Sequence, residues 1–144
     1  MLHKVIKIFL NSVKYYCVAH CISEHILDVV VCSGNSMEPS IKSGDIVIVQ
    51  RFSTFFNDIN KGDIVMTKSP INYKQFVIKR VRAMDGQTIR KGTKYLMIPK
   101  GSVWLEGDNQ KNSIDSWDYG PVPKGLINGR VLYKIWPMYN FSTI

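Results

Sequence analysis

Short strand-like runs that are rich in apolar residues dominate the chain after residue 30 and predict β-strands. These runs are 45–50, 63–68, 76–82, 87–90, 95–98, 103–106 and 129–135, and Gly, Asn, Asp and Pro separate them. Many short strands with turn residues between them are typical of all-β structures. The pattern therefore predicts a mainly β fold, a compact, coiled antiparallel sheet with a barrel-like shape.

The first thirty residues have a different pattern, in which apolar residues alternate with lysines such as Lys4, Lys7 and Lys14. No window of about 20 residues lacks a charge, so an amphipathic or weakly inserted helix is favoured over a membrane span. Because the first acidic residue is Glu24, this segment is also typical of mitochondrial targeting sequences. We expect a membrane-associated helix over residues 1–30 and a globular domain over 31–144; a helix packed on that domain is the alternative.

Spacings of three and four separate Cys17, His20, Cys21 and His25, so a helix would place them on one face, as in a metal site. The chain offers only one further cysteine and one further histidine, and small thiols on a helix face usually pack. We therefore predict that no metal binds there. Three cysteines also leave one unpaired, which argues against a framework of disulfides.

Composition bounds the function without deciding it. A chain of 144 residues suits one domain with a sizeable core, and the net charge of +8 would attract nucleic acid, anionic lipid or acidic segments of a partner. A basic β-barrel that binds single-stranded nucleic acid would explain both the charge and the scattered aromatic residues. Phe52, Phe55 and Phe56 fit either contact with lipid or local packing.

Ser36 lies in an irregular turn that Gly34 and Pro39 bracket, just before the first predicted strand. This arrangement would hold a hydroxyl at the mouth of the sheet. Taken alone, the pattern favours an ordinary surface turn that happens to contain a serine.

Lys79 follows three apolar residues on a predicted strand and shares a face with Val77 and Val81. If that face is the inner one, desolvation favours the neutral amine and lowers its pKa, which suits a general base. An exposed lysine on an edge strand is the alternative. The upstream serine, which could use such a base, favours the first interpretation.

Residues 106–122 are rich in small and polar side chains and follow a predicted strand. Such side chains bond to their own backbone, which predicts an ordered loop. The loop is either a long hairpin connection or a source of groups that orient the serine and the lysine.

These three stretches resemble, in the same order, the three boxes of the type I signal peptidases, which use a serine and lysine dyad. The matching residues are Ser36-Met37-Glu38-Pro39, Lys79-Arg80-Val81 and Gly107-Asp108-Asn109 with Asn112-Ser113-Ile114-Asp115-Ser116. The resemblance runs from about residue 30 to residue 137. Residues 104–109, 119–121 and 134–137 are most similar to the mitochondrial inner membrane members of the family.

The resemblance implies a role for each matching residue. Ser36 would be the nucleophile, Lys79 the general base, and Ser113 the hydroxyl that holds the lysine amine. Asp108 and Asp115 would support this arrangement, with Arg80 as the ion partner of Asp108.

Four positions depart from the family pattern. Gly34 stands where bacterial members often have a hydroxyl, so the Ser36 N–H is expected to donate to the oxyanion, and either Ser33 or Gly34 is the second donor. Trp117 replaces an arginine, while Ala83 and Gln87 replace a glycine and an aspartate.

The function implied by the resemblance is that of a serine endopeptidase that removes sorting peptides from proteins of the mitochondrial inner membrane and intermembrane space. Its partners would be membrane lipid, precursor proteins and a second, related subunit in a heterodimer, with the catalytic domain facing the intermembrane space. No metal, organic cofactor or nucleic acid is expected.

A bacterial-type signal peptidase I is one alternative function. A self-cleaving regulator with the same chemistry is another, but it would need a DNA-binding domain, and the thirty residues before Cys32 have no helix-turn-helix pattern.

Overall fold

A computed structural model describes residues 2–25, 27–51, 59–138 and 141–143. The described residues do not include the side chains of Cys21 and His25, which the prediction on metal binding concerns. They also do not include Phe52, Phe55 and Phe56, which the prediction on lipid contact or local packing concerns. Two α-helices, two 3₁₀ turns and ten strands follow one another along the described chain. The helices are α1 (Leu2–His25) and α2 (Ser116–Tyr119), and the turns are Gln110–Asn112 and Lys124–Leu126. The strands are β1 (Leu27–Val31), β2 (Ile46–Gln50), β3 (Ile64–Lys68), β4 (Phe76–Ala83), β5 (Thr88–Lys91), β6 (Lys94–Met97), β7 (Ser102–Glu106), β8 (Val122–Pro123), β9 (Ile127–Trp136) and β10 (Ser142–Thr143).

Seven strands lie side by side in the order β1-β2-β9-β3-β4-β7-β8, and β10 pairs with β9. Each neighbouring pair is antiparallel, and β5 and β6 form a separate hairpin. The sheet curls into a half-barrel, so the predicted mainly β, coiled antiparallel fold is confirmed. Each of the seven predicted strands is present, with ends within two residues of the predicted ones.

Strand β1 was not predicted, because residues 27–30 were assigned to the N-terminal helix. The helix instead ends at His25, and Leu27–Val31 pairs with β2, where Val29 lies opposite Ile48. Three consecutive valines explain the difference, since β-branched side chains fit a pleated strand better than a helix. The sequence analysis treated residues 1–30 as one interrupted apolar stretch, although the polar residues Ser23-Glu24-His25 interrupt it at the end of the helix, before β1.

Two apolar clusters fill the space on either side of the central strands. Adjacent residues of β3 contribute to different clusters, Ile64 and Met66 to one and Val65 to the other. The first cluster also contains Met37 and Ile41, which flank the position of Pro39 in the Ser36 turn. This packing attaches the turn to the core.

Helix α1 exposes its described apolar side chains, including Ile8, Phe9, Tyr15 and Tyr16, rather than packing them on the sheet. Within the part of the chain that the structure describes, no helix has the length and hydrophobicity that crossing a bilayer requires.

Candidate active site

The Ser36 turn, residues 32–45, joins β1 to β2. Its ends are closed by two backbone hydrogen bonds, from Cys32 N to the Asp45 carbonyl (2.8 Å) and from Gly44 N to the Cys32 carbonyl (2.9 Å). Gly34 has a φ of 92°, a conformation that side chains other than glycine rarely adopt. The two hydrogen bonds thus fix the backbone of the turn at both ends. Ser36 itself is half-buried within the turn.

Lys79 is buried on β4, with only 3% of its surface exposed. Its Nζ donates a hydrogen bond to Ser113 Oγ over 2.8 Å, which brings together residues 34 positions apart. Burial lowers the pKa of Lys79, and the negative charges of Asp115 and Asp118 only partly oppose this effect. The site therefore favours the neutral amine, as expected for a face shared with Val81.

Gly107 brings the Ser36 turn and Ser113 together. A Cβ atom at this position would lie 2.5 Å from the Ser36 carbonyl oxygen and closer still to Ser113 Oγ. Because Lys79 bonds to the same hydroxyl, the serine of the first box, the lysine of the second and the serine of the third meet around one glycine. The backbone there has no room for any larger residue.

Asn109 donates two hydrogen bonds to backbone carbonyls of the Ser36 turn. Its N–H donates to the Ser36 carbonyl (3.0 Å), and its side-chain Nδ2 donates to the Asn35 carbonyl (3.1 Å). Sequence analysis assigned no role to Asn109, although the asparagine lies in the third box.

Asp108 forms a bidentate ion pair with Arg80, at 2.8 Å to Nε and 2.7 Å to Nη2. The Ser40 hydroxyl donates to the same carboxylate (2.7 Å), and Arg82 approaches it within 3.3 Å. Burial alone would raise the pKa of Asp108, but the hydrogen bonds from Arg80 and Ser40 outweigh it and hold that pKa below its usual range. Ser40, which the sequence reading missed, thereby joins the Ser36 turn to the segment after β7.

Asp115 fixes the loop that carries Ser113. Its carboxylate accepts hydrogen bonds from the Trp117 N–H (3.0 Å) and the Gly107 N–H (3.3 Å), so it caps α2 and ties the loop back to its start. Trp117, which stands where the family commonly has arginine, packs edge-on against Trp104 with 4.9 Å between ring centroids. This position therefore serves packing here.

A pocket of about 90 Å³ with a mixed polar and apolar lining opens beside Ser36. Its walls come from the end of β1, the Ser36 turn, β3 and β4, including Val31, Cys32, Met66, Phe76 and Ile78. The Gly34 N–H, one candidate oxyanion donor, points to Ser43 Oγ at 3.4 Å, and Ser33 is exposed. The pocket has room for a small side chain next to the Ser36 hydroxyl.

Among the described residues, no group of three or more His, Cys, Asp or Glu side chains is placed to hold a metal ion. Cys17 and Cys32 are free thiols, the first exposed and the second buried.

Comparison with known proteins shows which family and which relatives the chain is similar to. The chain matches the family model described as signal peptidase, peptidase S26, over residues 5–98 and 90–136. It is 44% identical over 148 residues to mitochondrial inner membrane protease subunit 1 of Homo sapiens, and the aligned region covers 99% of this chain and 89% of the relative. It is 40% identical over 124 residues to subunit 1 of Schizosaccharomyces pombe, covering 82% and 79%. Subunit 2 of Danio rerio is 38% identical over 119 residues, covering 77% of this chain and 65% of the relative.

Proposed function

The chain belongs to the signal peptidase family, peptidase S26, and from this premise we propose that Ser36 and Lys79 form the catalytic dyad of a serine endopeptidase. The chain is a peptidase, as the resemblance implied. The observation that carries the dyad proposal is the buried Lys79 amine, hydrogen-bonded to Ser113 at 2.8 Å, beside the turn that presents Ser36.

In the proposed mechanism, Ser36 Oγ attacks the scissile carbonyl while the neutral Lys79 amine accepts the hydroxyl proton. The tetrahedral intermediate collapses when the C–N bond breaks, and the Lys79 ammonium returns the proton to the leaving amine. An ester on Ser36 remains. Lys79 then takes a proton from water while the water oxygen attacks the ester carbon. The bond between that carbon and Ser36 Oγ breaks, the carboxylic acid product leaves, and the proton returns from Lys79 to Ser36 Oγ.

Supporting groups would keep the two reacting atoms in position. Ser113 orients the amine, Asp115 fixes the loop of Ser113, and the ion pair between Asp108 and Arg80 stabilises the Ser36 turn through Ser40. The Ser36 N–H is the expected oxyanion donor, with Ser33 or Gly34 as the second. The Gly34 N–H points to Ser43 Oγ, so it would have to break that weak hydrogen bond before it could donate to the oxyanion.

The substrate would bind as an extended strand. Strand β1 is an edge strand of the sheet, and the pocket beside Ser36 begins at its end. A precursor chain that pairs with this edge would place the side chain before the cleaved bond in the pocket. We propose that these precursors carry sorting signals of the mitochondrial inner membrane and intermembrane space, in line with the names of the relatives.

We further propose that helix α1 attaches the protein to the inner membrane and that the catalytic domain, facing the intermembrane space, follows it. The boundary expected between residues 30 and 31 moves to the end of α1, because Leu27–Val31 pairs with β2 in the sheet. Relatives named as subunits 1 and 2 support a second subunit as partner in a heterodimer. The exposed apolar side chains of α1 support attachment to lipid.

The test is cleavage of a precursor peptide that contains a sorting signal, followed by mass spectrometry of the products. Ser36→Ala and Lys79→Ala should abolish cleavage while circular dichroism and thermal unfolding show a folded protein. Lys79→Arg should also fail, because a guanidinium cannot be deprotonated. Ser102→Ala and Lys100→Ala, which lie away from the site, are the matched controls and should cleave normally. Cleavage by Ser36→Ala at the wild-type rate would end the proposal.

A further inference from the structure

A second lysine, Lys134 on β9, is buried as deeply as Lys79, with 3% of its surface exposed. Its Nζ donates a hydrogen bond to the Ser40 carbonyl over 3.0 Å and lies 3.6 Å from Asp45 Oδ2. The mechanism above does not use this residue. Both groups that it contacts belong to the Ser36 turn.

An ammonium inside a protein is unfavourable unless its charge and its donors are satisfied. Here the turn supplies that compensation, through a backbone carbonyl at Ser40 and a carboxylate at Asp45. The same Asp45 oxygen accepts a hydrogen bond from the Lys42 N–H (2.9 Å), so the carboxylate also fixes the fold of the turn itself. Lys134 therefore ties β9 to two points of the turn.

Ser40 is held from two directions. Lys134 binds its carbonyl, and Asp108 binds its hydroxyl over 2.7 Å. The hydrogen bond from the Ile41 N–H to the Met37 carbonyl (2.9 Å) connects this fixed point to the residue that follows Ser36. Displacement of Ser40 would thus move the backbone next to the reacting hydroxyl.

We propose that Lys134 is a positioning residue for the nucleophile: by holding Ser40 and Asp45, it sets the place of Ser36 Oγ relative to Lys79. This inference rests on the proposed function. Lys134 acts through the turn and contacts neither substrate nor the reacting atoms. Misplacement of a nucleophile by about 1 Å can cost a large part of the rate, even when substrate binding is unchanged.

The test compares kcat and KM of Lys134→Met, Lys134→Arg and Lys124→Met with the wild-type protein. Methionine removes the charge but keeps a long apolar side chain, and arginine keeps the charge and the donors. Lys124→Met is the matched control, because Lys124 is also ion-paired, with Asp85 at 2.9 Å, but far along the chain from the Ser36 turn. Assays are run well below the unfolding midpoint of every variant, with rates normalised to the folded fraction from circular dichroism.

We expect Lys134→Met to lower kcat by about tenfold or more with KM within about twofold, as expected for a misplaced reacting group. Lys134→Arg should recover most of kcat, and Lys124→Met should leave it unchanged. Asp45→Asn, which keeps an acceptor for the Lys42 N–H but loses the charge, should lower kcat in the same direction if Lys134→Met fails to fold.

Wild-type kcat in folded Lys134→Met, or in Asp45→Asn where that variant replaces it, would overturn the inference. Failure of arginine to recover any activity, or an equal loss in Lys124→Met, would also overturn it. The proposed function would survive each of these results. That function fails separately, if Ser36→Ala or Lys79→Ala retains cleavage.

Discussion

The contrast between Lys79 and Lys134 shows how the surroundings of a buried amine set its task. Each is 3% exposed, but Lys79 donates to a neutral hydroxyl, whereas Lys134 lies between a carbonyl and a carboxylate. A hydroxyl compensates a positive charge less than a carboxylate does, so desolvation lowers the pKa of Lys79. The environment of Lys79 thus suits proton transfer, and the two contacts of Lys134 suit attachment of the turn.

The pH dependence of cleavage should follow the neutral fraction of Lys79. Because the pKa of this lysine lies below its ordinary value of 10.5, kcat/KM should rise with pH and reach half its maximum below pH 10.5. The unfolded chain binds this proton more tightly than the folded protein does. The contribution of Lys79 to the free energy of unfolding therefore also rises with pH, in the window between the lowered pKa of Lys79 and pH 10.5. A pH–rate profile, with unfolding measured at each pH, provides the check. A rate that falls across this window, or a midpoint at or above 10.5, would contradict the general-base assignment.

Loss of the Ser113 hydroxyl should slow catalysis without unfolding the protein. Ser113→Ala removes the hydrogen bond that orients Lys79 Nζ, and we expect kcat to fall by about 10²-fold, the lower end of what a positioned base contributes. Ser116→Ala is the control in the same loop, since Ser116 Oγ accepts from the Leu105 N–H and has no contact with the lysine. That control should lower the unfolding temperature and keep kcat. Equal rates in Ser113→Ala and wild type would show that another group orients Lys79.

Gly107 should tolerate no side chain. The added methyl group of Gly107→Ala would collide with the Ser36 carbonyl and with Ser113, pushing apart the two segments that meet there. Forced overpacking of this kind costs about 1–3 kcal/mol, and here it should also abolish cleavage because it separates Ser36 from Lys79. Gly125→Ala is the control, since its new methyl group meets open space. Chemical denaturation and the cleavage assay measure both effects, and an active Gly107→Ala protein would refute the close approach.

At the scale of elements, the Asp108 carboxylate joins β4, the Ser36 turn and the segment after β7. Asp108→Ala would leave Arg80 without its bidentate partner and Ser40 without its acceptor. Because the carboxylate is mostly buried and Arg80 is partly exposed, we expect a loss of about 2–3 kcal/mol in the free energy of unfolding. Cleavage should slow as the turn loosens.

The control for this variant is Asp85→Ala, which removes a more exposed pair, with Lys124. Denaturant unfolding should show a smaller loss for the control, and its kcat should equal that of the wild type. The reverse order of the two losses would mean that Asp108 does not stabilise the turn.

Sequence analysis correctly predicted the strands for which the local residue pattern is sufficient to indicate a strand. The strand that bears Lys79 is rich in β-branched and aromatic residues, and all seven predicted strands formed. Strand β1 was missed because residues 1–30 were assigned to one helix, despite the polar break at Ser23-Glu24-His25. The contacts of Ser40, Asn109 and Lys134 were missed for a different reason, since each depends on which strands become neighbours. Lys134 reaches a carbonyl 94 positions away in the chain, and no local spacing encodes that approach.

At the scale of the whole molecule, the sheet has an apolar outer face near the edge where substrate would bind. The pairing of β1, β2 and β9 aligns Val29 with Ile48 and Tyr133, and Val31 with Ile46 and Trp136. Val29 and Val31 are each 67% exposed, and Phe141 stacks beside Tyr133. Exposed apolar faces of this kind mark interaction sites, and tryptophan and tyrosine favour the membrane–water interface. Since Val31 also lines the pocket, lipid at this face would bring the substrate site close to the bilayer.

We therefore predict that this outer face contributes to membrane attachment in addition to α1. The double variant Tyr133→Ser, Trp136→Ser should reduce partitioning to phospholipid vesicles in flotation by about tenfold or more, because two large apolar side chains lose their transfer into lipid. Cleavage of a water-soluble peptide should stay within about twofold of wild type, since neither side chain belongs to the site. Tyr95→Ser, which changes a more exposed tyrosine on the separate hairpin, should partition like the wild type. Unchanged flotation of the double variant would leave α1 and the net charge of +8 as the source of attachment and would reject the outer face as a lipid contact.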